Sequence, residues 1–238
     1  MLQVHGFKSA GGFKTLLPIL MLLSTTAAFA GEQPQAAKVK KTSGAGVTCW
    51  TSSQYFIKRH EPDEEGSGYL GMIALSEKAR PNACETRKDP AEKKITDGCD
   101  HFVDLSGDYL VTTGCESLAG ISQVNVWNLK TGKSVFEDTY DDGKVTLTAQ
   151  GQKVSLRYRR AHKGSCSVVQ QKEACLQKLL KEAGLPASIR NDCLAKKENE
   201  YFPDGETIIS YEVDVEDIHT PAKKPVPDSQ ARCWQSNE

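Results

Sequence analysis

Eight cysteines constrain this 238-residue chain more than any other feature: Cys49, Cys84, Cys99, Cys115, Cys166, Cys175, Cys193 and Cys233. All lie downstream of a stretch, 1–30, that reads as a secretory signal peptide. Lys8 and Lys14 supply its positive region, 15–23 (TLLPILMLL) an apolar run too short to span a bilayer, and Ala28-Phe29-Ala30 a small-x-small cleavage site. An even number of cysteines in an exported chain implies a disulfide framework, because the destination is oxidising. A metal centre would need close-set ligand pairs, and the chain has neither C-x2-C nor H-x3–5-H. Four disulfides are therefore expected, with no metal and no cofactor. The leader points to a periplasmic or secreted protein without stable membrane insertion.

Spacing suggests how the cysteines pair. Cys84 and Cys99 bracket a charged, irregular stretch and suit a local staple. Cys175 and Cys193 each lie nine residues from Gly184, so in an antiparallel helical hairpin they stand at the same height, within reach of a disulfide. Cys49 and Cys233 share a Cys-Trp-x-Ser context and would join the first and last strands if those pair. Cys115 with Cys166 follows by elimination.

Residues 31–46 lack apolar periodicity and read as a flexible linker; 47–238 reads as one disulfide-rich domain. Within it, 47–58 and 69–75 are β-like. The segments 109–113, 122–129, 134–139, 144–149, 153–160 and 206–214 are rich in β-branched and aromatic residues, most of them divided by Gly-containing turns. Between the last two, 167–197 changes to a helical period through Val168, Leu176, Leu179 and Leu180. The expected fold is mainly β: an antiparallel sheet closing as a barrel or stacking as a sandwich, with an inserted, disulfide-linked αα-hairpin.

A second architecture enters through 105–136. Its LSGDYL before one strand and VWNLKTGK across the next turn resemble a single blade of a WD-repeat propeller, with Asn128 in place of the family's usual Asp. The resemblance covers that one stretch and implies a small β-propeller, an interaction scaffold, as the alternative fold.

Motifs for chemistry are absent: no G-x-S-x-G, H-E-x-x-H, Walker A or G-x-G-x-x-G occurs. Asp100, His101 and Asp104 are the best acid–base cluster, yet their spacing brings them together only in a loop. The acidic loops 61–65 and 137–143 lack the ligand alternation of a calcium loop. Lys plus Arg number 30 and Asp plus Glu 31; without the leader's two lysines, 28 oppose 31, too even a balance for a nucleic-acid binder. The concentrated cationic patch is the run holding Arg157, Arg159, Arg160, His162 and Lys163, suited to an anionic partner. These features together lead to an exported, non-enzymatic binding protein, of the inhibitor, immunity or envelope-accessory kind, whose partner is another protein or an envelope polymer. A hydrolase of an envelope or extracellular polymer, working through paired carboxylates, is the alternative.

Overall fold

Gly-rich turns cut the chain into three consecutive antiparallel sheets. The computed structural model describes residues 39–44, 47–61, 68–75, 84, 89–115, 117, 119–194 and 205–236, so the leader at 1–30 and most of the loop 61–65 lie outside it. The first sheet is a meander of β1 (Lys40–Gly44), β2 (Val47–Thr51), β3 (Tyr55–His60), β4 (Tyr69–Ala74) and β5 (Lys93–Asp97). The second is a meander of β6 (His101–Ser106), β7 (Tyr109–Thr113), β8 (Ser122–Asn128) and β9 (Lys133–Tyr140). The third runs β10 (Thr146–Gln150), β11 (Lys153–Lys163) and β12 (Thr207–Val215), with β13 (Lys223–Pro225) and β14 (Arg232–Gln235) both pairing β12. One helix, α1 (Val168–Ala183), lies between β11 and β12. Among the described residues no helix is long and apolar enough to cross a membrane.

Period-two alternation decides how the sheets stack. In the second sheet Val111, Val124 and Val126 face one way and join the largest core, shared with the third sheet and α1. Leu105 and Leu110 face the other way, where, with Leu129, they meet Tyr55, Ile57, Leu70 and Met72 of the first sheet. Hydrogen bonds stitch the second sheet to the third: the Asp141 amide donates to Arg159 O (3.0 Å), and Thr139 Oγ1 to Ala161 O (2.5 Å).

The mainly-β expectation holds, while several finer expectations are corrected. The sheets stack and do not close into a barrel. The blade-like stretch is indeed a four-stranded meander, but three sheets fall short of the roughly four to eight blades of a propeller. Asn128 belongs to its turn: Oδ1 accepts the Lys130 and Thr131 amides at 3.0 and 3.2 Å. Residues 40–44, expected in the linker, form β1 against β2.

All four pairings suggested by spacing are replaced. The disulfides are Cys49–Cys84, Cys99–Cys115, Cys166–Cys175 and Cys193–Cys233. Cys49 cannot meet Cys233, because β2 is internal to the first sheet and β14 sits in the third. Cys175 does not meet Cys193, because the described residues after Gly184, up to Leu194, form no second helix; 195–197 of the expected hairpin lie outside the described residues. Gly184 adopts a left-handed conformation (φ 70°) that ends α1, and Pro186 follows. From there the chain makes one backbone turn, Ile189 N to Pro186 O (3.0 Å), and bonds to the tail: Ala231 donates to Arg190 O (2.9 Å) and the Cys233 amide to Asp192 Oδ1 (3.0 Å).

The helix is built into the core. Val168, Cys175, Leu176, Leu179, Leu180 and Ala183 are buried, which at about 1.5–3 kcal/mol per large side chain makes α1 a major stabilising element. Gly164 permits its approach: a Cβ there would lie 2.5 Å from Leu179 Cδ1 and 3.0 Å from Thr207 O.

Candidate functional site

Register in the third sheet sorts the cationic run onto two faces. Arg157 stands between Thr146 and Asp214, Arg159 beside Glu212, and Ala161 beside Ser210, which in turn faces Arg232. These residues share the outer face. Arg160 pairs with Tyr211 and His162 with Ile209 on the inner, helix-covered face.

On the outer face, Arg157, Arg159, Glu212 and Arg232 line a cleft of about 530 Å³ together with Asp142, Gly143, Lys144, Thr146 and Tyr158. Four cations thus meet two carboxylates. Arg159, only 9% exposed, forms the floor. Its Nη1 donates to Ser210 O (3.3 Å) and Gln230 O (3.1 Å), and its Nη2 lies 3.6 Å from Glu212. Burial, with the neighbouring Arg232 charge, lowers the Arg159 pKa. Arg157 clasps Asp214 with two bonds, Nε–Oδ1 2.5 Å and Nη2–Oδ2 2.7 Å. Lys144 and Arg232, in contrast, form no ion pair among the described residues. They give the cleft its surplus positive charge.

The other members of the run serve the fold. Arg160 donates to Asp138 (Nε–Oδ2 2.9 Å) and to the Tyr211 hydroxyl (3.0 Å), which itself donates to Ala183 O at the end of α1. Asp138 also accepts Lys223 Nζ (2.8 Å) and the Tyr158 hydroxyl. Burial opposes its ionisation, but the Lys223 and Tyr158 hydrogen bonds and the Arg160 and Lys223 charges prevail and hold the carboxyl below its usual range. His162 Nε2 is buried without a hydrogen-bond partner among the described residues; burial and the Arg160 charge keep its pKa low. Lys163 reaches Glu206 at 3.3 Å.

The Asp100–His101–Asp104 cluster does not converge. Asp104 accepts the Leu105 amide (2.8 Å), while Arg59 bonds the His101 ring and the Asp100 carbonyl. A further polar centre escaped the sequence: buried Glu92 accepts Lys58 Nζ (3.2 Å) and contacts His60 Nε2 (2.6 Å) on the first sheet. Lys144 and Arg232 escaped it too. Lys144 carries the one cue of lying in an Asp-Asp-Gly-Lys turn, whereas Arg232 joins the cleft through a strand pairing with no local signal.

Compared with known proteins, the chain matches no family model, no curated protein and no solved structure.

Proposed function

We propose that this is an exported, non-enzymatic binding protein, of the periplasmic inhibitor, immunity or envelope-accessory kind, that grips an anionic group of a protein or envelope polymer in the outer-face cleft. The observation that carries this is that Lys144 and Arg232, which form no ion pair among the described residues, outnumber Asp142, the one cleft carboxylate not engaged by an arginine, beside Arg157 and Arg159, which are committed to Asp214, Glu212 and backbone carbonyls. Pre-positioned positive charge in a concave site attracts anions without reorganisation. The test is affinity capture from the native envelope or secretome with the oxidised protein. A stoichiometric partner is expected whose binding weakens with salt as exposed charges are screened and falls about tenfold in the double variant Lys144→Glu/Arg232→Glu, a loss of about 1.4 kcal/mol. Capture unaffected by that variant overturns the assignment, as does catalytic turnover of an envelope polymer.

A further inference from the structure

Two more concavities extend the cleft. One, of about 550 Å³, shares Thr146 and Arg157 with it and is lined also by Asp214 and Lys224. The next, of about 770 Å³, shares Pro225 and Pro227 with the second and adds Leu185, Pro186, Ile189 and Val226. The character of the lining thus changes along the series, from surplus positive charge, through balanced charge, to aliphatic and proline surface.

The apolar end is built rigidly. One wall follows α1, the other is the excursion between β13 and β14, and Cys193–Cys233 joins them. Arg190 Nη2 holds Asp228 O at 3.1 Å, and the Val226 amide donates to Glu212 O at 2.9 Å. Arg159, the floor of the charged cleft, holds Gln230 O of the same excursion. Asp228 sits in the left-handed region (φ 60°), and Ser229, which lines the groove, has its Oγ buried without a partner among the described residues.

We propose that the three concavities form one track for an extended peptide segment of a partner protein, its acidic side chains at Lys144 and Arg232 and its aliphatic or proline residues against Leu185, Ile189 and Val226. This rests on the anion-binding function above and names the partner class. Charge complementarity selects the acidic end. The apolar end disfavours a glycan, whose hydroxyls would be desolvated against aliphatic surface.

The experiment is selection of short randomised displayed peptides on the oxidised protein. Enriched sequences are expected to carry an acidic residue together with an aliphatic or proline pair. Selection on Arg232→Glu should lose the acidic preference alone, and selection on Val226→Asp the apolar preference alone; circular dichroism confirms that both variants are folded. Enrichment of acidic peptides without an apolar position leaves the anion cleft standing and overturns the track. No enrichment, with a sulfated polysaccharide binding in an Arg232-dependent manner, overturns the peptide as occupant while keeping the cleft. Loss of every anionic ligand refutes both.

Discussion

Asp138 shows how one carboxylate can join three strands. It belongs to β9 and receives donors from β11 and β13. An unfolded aspartate titrates near pH 3.9, and folded Asp138 titrates lower. Its contribution is therefore complete above the unfolded value and is lost as pH falls through the depressed one. Asp138→Asn should lower stability by about 2–3 kcal/mol at neutral pH, since hydrogen bonds to charged groups are worth that much. Thermal unfolding of both proteins across acid pH should show the gap closing as pH falls; a constant gap would contradict the assignment. At this scale the sequence was half legible. It revealed the density of cations in 157–163 but not their partners, because Asp138, Glu212 and Asp214 arrive through non-local pairing. Alternation within β11 then splits the run between two faces, which no composition count reveals.

Elements were the most legible level. Turn chemistry and β-branched runs located β7 to β12 closely, since both signals are local. The second helix failed for a physical reason: Arg190 and Asp192 take partners in the tail, leaving no local ladder to build. The helix α1 is no self-stapled appendage, because Leu179 is fully buried against the sheet. Leu179→Ala should cost about 2–5 kcal/mol, and deletion of 167–197 should leave a chain without a cooperative unfolding transition. A folded deletion would show that α1 is dispensable. The disulfides differ in the same manner. Cys193–Cys233 closes a separation of 40 residues and Cys166–Cys175 one of 9. By chain entropy these are worth about 4 and about 2.6 kcal/mol. Paired Cys→Ala variants should therefore rank in that order by denaturant midpoint; the reverse order would show that native-state packing and not loop closure dominates.

Across the whole molecule, the expected number of disulfides was right and their pairing was shifted by one cysteine along the chain. Spacing cannot choose between the two alternating sets of neighbours; the sheet topology can. Peptide mapping without reductant should recover Cys49–Cys84, Cys99–Cys115, Cys166–Cys175 and Cys193–Cys233, with no alkylated thiol. Any pair that joins two different sheets would contradict the fold. The order of those bonds carries a consequence for biosynthesis. Each cysteine is joined to the next one along the chain, and no loop encloses or crosses another. In the exported protein proposed above, a chain threaded through a membrane from its N-terminus would present its thiols in just that sequence, and an oxidase acting as they emerged would make the native bonds first. Such a chain needs a catalyst of thiol oxidation but none of disulfide reshuffling, and each sheet is covalently sealed before the next has arrived.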